Sequence, residues 1–131
     1  MHRRVLIVDD DKEIREIVTF ALTCNGFEVI ALSSGQQLQL QLHEMAALPD
    51  LIILDVMMPG EDGYHICSML RSSPYTGHIP VMIMTAHAEH IYEQISVDLG
   101  AAMHMTKPFH PLKLVEQVKQ LLHEEGIEER K

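Results

Sequence analysis

Residues 51–63 read "LIILDVMMPGEDG": four apolar residues run straight into Asp55, and a turn-forming Pro-Gly pair follows. An apolar run of this length suits a strand buried on both faces, as in a parallel sheet covered by helices. A carboxylate at its end costs free energy unless a partner meets it. That partner has to come from elsewhere in the chain.

Four further short runs flank this one: "VLIV" (Val5 to Val8), "FEVIAL" (Phe27 to Leu32), "VMIM" (Val81 to Met84) and "AMHM" (Ala102 to Met105). Each reads as a strand. Between them the apolar spacing turns helical. Ile14, Ile17, Val18 and Ala21 recur at helical intervals, with an aspartate of the Asp9–Asp11 run as cap and Gly26 as terminator. Helices are also expected over about 63–72, 88–99 and 110–125. Ile91, Ile95 and Leu99 are spaced by four, and both isoleucines are expected in the core. In the last helix Pro111 suits the first turn, Leu112, Val115, Val118 and Leu122 form a stripe, and Gly126 supplies a stop. The stretch "QQLQLQL" (Gln36 to Leu42) alternates with period two and read alone says strand. The strands around it need a crossover, so it is read as a helix capped by Ser33 or Ser34. Leu38, Leu42 and Met45 then share a face and Leu40 points away.

Five strand–helix alternations predict an α/β fold with a parallel sheet and right-handed crossovers. No repeat, linker or low-complexity tract appears, so residues 1–131 are read as one domain with its core over about 3–125. The 131 residues suit one hydrophobic core, with 47% hydrophobic and 22% charged residues. Ten basic against 19 acidic residues give a net charge of −9. That balance argues against direct contact with a nucleic-acid backbone. No apolar run nears the roughly 20 residues of a membrane span. The N-terminus "MHRRVLIVDD" meets acid after four apolar residues, too few for a signal-peptide core, so a cytoplasmic location is expected. Cys24 and Cys67 lack CxxC spacing and are read as reduced, packed thiols. The nine histidines are scattered and are read as surface or packing residues rather than zinc ligands.

In parallel α/β sheets ligands bind beyond the carboxyl ends of the strands. Here those ends carry Asp9 and Asp10, Asp55, Thr85 and Lys107. With strands in the order 2-1-3-4-5, Asp10 and Thr85 flank Asp55. Lys107 stands roughly 10 Å off, within reach of its side chain. Two such carboxylates about 5 Å apart repel by roughly 3 kcal/mol at an effective dielectric near 20. Lys107 offsets part of this and a divalent cation more; a set of oxygen donors suits Mg²⁺. Each residue alone has an ordinary reading: helix cap, turn residue, solvated charge. Their joint placement at four strand ends is what argues for a site.

Taken together, "VLIVDDD", "LIILDVMMPGEDG", "VMIMTA" and "KPF" resemble the receiver domain of bacterial two-component response regulators, over nearly the whole chain. The resemblance implies a chemotaxis-regulator-like, flavodoxin-like three-layer fold, and supplies the order 2-1-3-4-5. It implies that Asp55 is the phosphoacceptor, taking a phosphoryl group from a sensor histidine kinase or phosphotransfer protein. Mg²⁺ would be held by Asp10, Asp55 and the backbone carbonyl of Met57, with Asp9 acting through water. Thr85 and Lys107 would contact the phosphoryl group, and the Lys107–Pro108 bond is a cis candidate. Thr85 and His104 would form the switch; His104 departs from the commoner tyrosine or phenylalanine. Met57 and His87 would tune water's access, and the small Ala86 would leave a passage for the donor. Output would pass through the face of the fourth helix, fifth strand and fifth helix, near Ile91, Tyr92, Ile95 and His104, with dimerisation on activation left open.

A haloacid-dehalogenase-type phosphatase would need an acid where Met57 stands. A phosphate-loop nucleotidase would need GxxxxGK[ST], and a flavin carrier would not place "DDDK" in its phosphate loop. The remaining alternative is a receiver-like docking module that is not regulated by phosphorylation.

Overall fold

The computed structural model describes residues 3–130, and side chains over residues 3–122. The chain alternates without exception: β1 (Arg4–Val8), α1 (Lys12–Thr23), β2 (Glu28–Leu32), α2 (Gly35–Glu44), β3 (Leu51–Asp55), α3 (Gly63–Ser72), β4 (Val81–Thr85), α4 (His90–Asp98), β5 (Met103–Thr106) and α5 (Pro111–Arg130). All strand pairs are parallel, in the order β2-β1-β3-β4-β5. This is the flavodoxin-like arrangement.

The period-two geometry of the strands sorts the core into two layers. Leu6, Ile52, Leu54 and Ile83 face α2 and α3, meeting Leu38, Leu42, Ile66, Cys67 and Leu70. Val5, Ile7, Ile53 and Met84 face α1 and α5, meeting Val18, Leu22, Leu114, Val115 and Val118. The residues of β3 and β4 are buried throughout. Burial on both faces is why these strands read as unbroken apolar runs.

The alternating segment is a helix. Ser34 caps it by accepting the Gln37 N–H at 3.1 Å, and Leu38 and Leu42 are buried while Leu40 is 58% exposed. Burial of one face outweighs the strand-like pattern. Asp11 caps α1 through the Glu13 N–H, and Gly26 turns the chain after it at φ +89°.

Four expectations are corrected. Ile91 is 63% exposed, because α4 lies at the β5 edge and its buried residue is Ser96. Leu112 is 67% exposed, and Leu114 takes its place in the α5 stripe. Gly126 does not end α5, which continues to Arg130. An interior glycine costs a helix only about 1 kcal/mol, and helix-forming residues follow it. Cys24 is free but exposed rather than packed; Cys67 is free and buried. Among the described residues, no helix is long and apolar enough to cross a membrane.

Candidate functional site

The strand register brings the polar ends to one rim. Val8 pairs with Leu54, Asp55 with Met84, and Thr85 with Thr106, so Asp9, Asp55, Thr85 and Lys107 emerge at neighbouring heights. Two backbone bonds continue the ladder past the strand ends: Asp9 N–H to Leu32 O, and Lys107 N–H to Thr85 O. The Lys107–Pro108 peptide is cis.

Asp9 is fully buried. Its Oδ1 accepts the Asp11 N–H at 2.9 Å, and Arg15 Nη1 holds its backbone carbonyl at 2.8 Å. Asp9 Oδ2 has no well-directed hydrogen bond; the Lys107 ammonium stands 2.8 Å away. Asp55 is 2% exposed; its Oδ1 accepts the Met57 N–H at 2.9 Å and its Oδ2 lies 3.4 Å from Lys107 Nζ. One lysine therefore sits between two buried acids. Asp10, exposed at the mouth, completes a group in which each carboxylate offers an oxygen within 4.8 Å of the others. Every donor is oxygen, and three carboxylates meet beside the Lys107 ammonium. Those properties fit a hard divalent cation such as Mg²⁺.

Burial pushes the Asp55 carboxyl up, to about 6, with Asp9 adding to the effect. The Met57 N–H and Lys107 oppose it. Lys107 also feels burial, which lowers its pKa, but Asp9 and Asp55 more than reverse this and leave it raised.

Thr85 is fully buried at the end of β4, and its Oγ1 accepts the His87 N–H at 3.1 Å. The His87 ring stacks on Tyr92 of α4, with centroids 4.2 Å apart and planes 12° from parallel. Further along α4, Ser96 Oγ donates to Tyr92 O at 3.1 Å and meets His104 Nδ1 at 2.9 Å. A serine has one proton to give. The direction of the Ser96–His104 bond follows the tautomer of the ring. Thr85 pairs with Thr106 and His104 with Ile83, so Thr85 and His104 lie on adjacent strands two positions apart in register. Ala86 and Met57 are exposed beside the acids.

Burial lowers the pKa of His104, and Glu93, the charged group facing it, partly opposes this. A depressed folded-state value means the unfolded chain binds the proton more readily. The neutral ring's contribution is therefore complete above the unfolded value near 6.5 and is lost as pH falls below it. Urea unfolding of the native protein and of His104→Phe, measured from pH 7.5 to 5, should show the native protein losing ground to the variant as pH falls. A constant difference would count against this.

Sequence reading missed three contributors. Ser96 is the buried anchor of α4. The Tyr64 hydroxyl is buried on the Thr85 side without a well-formed hydrogen bond, and burial raises its pKa. Glu61 reaches Gly35 across the chain, its Oε1 accepting that N–H at 2.9 Å. The only sequence signal for these was a polar group inside an otherwise apolar or turn-forming segment.

A doubly wound domain with acids and a lysine on the carboxyl rim at the β1/β3 switch point defines a chemotaxis-regulator-like class of protein. The family model described as the response regulator receiver domain matches residues 5–119. The chain belongs to that family. It is 39% identical over 120 residues to the transcriptional regulatory protein GltR of Pseudomonas aeruginosa, covering 92% of this chain and 49% of that one. It is 38% identical to the phosphate regulon transcriptional regulatory protein PhoB of Escherichia coli, covering 93% and 52%. The chain thus spans about half the length of the curated relatives it matches. Among solved structures, a response regulator from Chloroflexus aurantiacus aligns with TM-score 0.86 at 35% identity, covering 94% of this chain and 99% of that one. The chemotaxis response regulator CheY4 of Vibrio cholerae aligns at 0.83 and 28%, covering 92% and 98%.

Proposed function

We propose that this receiver domain carries a phosphorelay signal by accepting a phosphoryl group on Asp55, from a phosphohistidine of a sensor kinase or phosphotransfer protein in the cytoplasm. The observation that supports it best is Lys107 Nζ held between the buried carboxylates of Asp9 and Asp55, with Asp10 in the same cluster. A carboxylate oxygen of Asp55 forms the new P–O bond as the P–N bond to the donor imidazole breaks, giving an acyl phosphate. The nucleophile must be ionised, which a carboxyl at about 6 is at neutral pH. Asp10, Asp55 and the Met57 carbonyl would hold Mg²⁺, with Asp9 acting through water. When bound, the ion neutralises charge developing on the transferred group. Lys107 pairs with one phosphoryl oxygen, and the Thr85 hydroxyl donates to another. The domain acts on no separate substrate; it assists its own phosphorylation and dephosphorylation.

Phosphorylation then shifts a two-state equilibrium. Thr85 turns toward the phosphoryl group, His104 follows, and the α4–β5–α5 face changes for a partner or output segment. Two relatives are named as transcriptional regulatory proteins, which points the output toward control of transcription. The acidic domain itself makes no nucleic-acid contact in this reading. Incubation with acetyl phosphate and Mg²⁺ should add the mass of one phosphoryl group to the protein and none to Asp55→Asn. No increase in the native protein would overturn the proposal and leave the phosphorylation-independent docking module.

A further inference from the structure

Residues 56–62 carry the backbone carbonyl of Met57 past the site, and three attachments hold this loop. Val56 N–H bonds to Met84 O at 3.1 Å. Gly63 packs so closely on Val56 that an added Cβ would overlap the Val56 Cα. The third attachment is Glu61. The Met58 carbonyl accepts the Glu61 N–H at 3.2 Å across Pro59 and Gly60, the latter at φ +73°. This tight turn delivers the Glu61 side chain to α2, where Oε1 accepts the Gly35 N–H at 2.9 Å. Gly35 is cut to fit: an added Cβ would lie 2.8 Å from Glu61 Oε2 and 2.6 Å from Ile66 Cδ1.

Satisfying the Gly35 N–H, a first-turn donor of α2, is one part of this contact. The helix has its own cap, Ser34, which takes the Gln37 N–H, and Leu38 N–H already bonds to Ser34 O. What Glu61 adds is a tie across the chain: it fixes the far end of the turn that begins one residue after Met57, while Met57 N–H is fixed on Asp55 Oδ1 at 2.9 Å. The Met57 carbonyl is therefore clamped between two carboxylates, one in the site and one outside it. We propose that Glu61 is a positioning residue for the cation site, holding the Met57 carbonyl in place through Gly35 without touching the ion. This rests on the reading of the acidic rim as a Mg²⁺ site.

Groups that orient metal ligands from outside typically change affinity by about tenfold or more when removed. The test is calorimetric titration of Mg²⁺ into the native domain and three variants, each verified as folded by its thermal transition. Glu61→Asp keeps the charge but loses the reach, and should bind Mg²⁺ roughly tenfold more weakly. Glu61→Gln keeps the acceptor oxygen and the reach without the charge, and should stay within about twofold of the native protein on the same reasoning. Ser34→Ala removes the other α2 cap and should lower the unfolding temperature while leaving Mg²⁺ affinity intact. Native affinity in Glu61→Asp overturns the proposal. So does equal weakening in Glu61→Gln, which would make the effect one of charge, or in Ser34→Ala, which would make it one of α2 stability. Failure of the native domain to bind Mg²⁺ at all would remove the cation-site reading itself, a result distinct from the other three.

Discussion

Lys107→Met is expected to destabilise the cation-free domain by about 3 kcal/mol at neutral pH, the range found when one partner of a buried ion pair is removed. Lys107 Nζ is 2.8 Å from Asp9 and 3.4 Å from Asp55, and the two acids are 0% and 2% exposed in their side chains. Without the ammonium, two buried carboxylates face each other with no compensating charge. Protonation is the available relief, so the Asp55 carboxyl, already at about 6, should move further up. The loss should therefore shrink as pH is lowered from 7.5 to 5, and Mg²⁺ should restore part of it at pH 7.5. Urea unfolding in a chelating buffer, repeated with Mg²⁺, measures all three effects. A variant as stable as the native protein at pH 7.5 would mean that the lysine and the acids do not share one charge balance.

Asp55→Asn should act in the opposite direction. A carboxyl raised from 3.8 to about 6 binds its proton more readily in the fold than in the unfolded chain. The sign follows from linkage: the native protein gains stability as pH falls through 6 toward 3.8, and carries the full penalty of the ionised form above 6. Two units correspond to about 3 kcal/mol as an upper figure. The neutral amide escapes that penalty, and its oxygen can still accept the Met57 N–H. At pH 7.5 without a divalent cation the variant should melt higher by on the order of 5 °C. The two proteins should converge near pH 4, and Mg²⁺ should narrow the gap at neutral pH by stabilising the ionised form. A lower melting temperature for the variant at pH 7.5 would show that hydrogen bonding to the ionised carboxylate outweighs its burial. Under the proposed function, the variant without the phosphoacceptor carboxylate should thus be the more stable one, as expected where a strained charge is kept for function.

Asp55, Asp9, Asp10, Thr85 and Lys107 were legible in the sequence because parallel strands all end on the same side. Once a run such as "LIIL" is recognised as a buried strand, its last residue is placed on the rim without further information. The order of the strands was not readable from residues; it came from the resemblance to a family. Helix phase failed at the margins for local reasons. Leu112 lies near the start of α5, where one residue's rotation exchanges inside for outside. Ile91 has a core-like spacing, but α4 covers an edge strand and buries Ser96 instead. Gly26 takes a positive φ just past the end of α1, so glycine was a sound stop there and not at Gly126, which lies within α5. Ties between distant segments, such as Glu61 to Gly35, leave no periodicity and had to be seen in space.

The sheet's burial is uneven, and that has a mechanical consequence. β3 and β4 are closed in on both faces along their whole length, whereas β5 has one neighbouring strand and a single buried residue, Met105. Asp55 stands on the stiff middle, and Lys107 follows directly from the compliant border strand. A pull on that ammonium is therefore borne by a border strand paired on one side only, the same strand that carries His104.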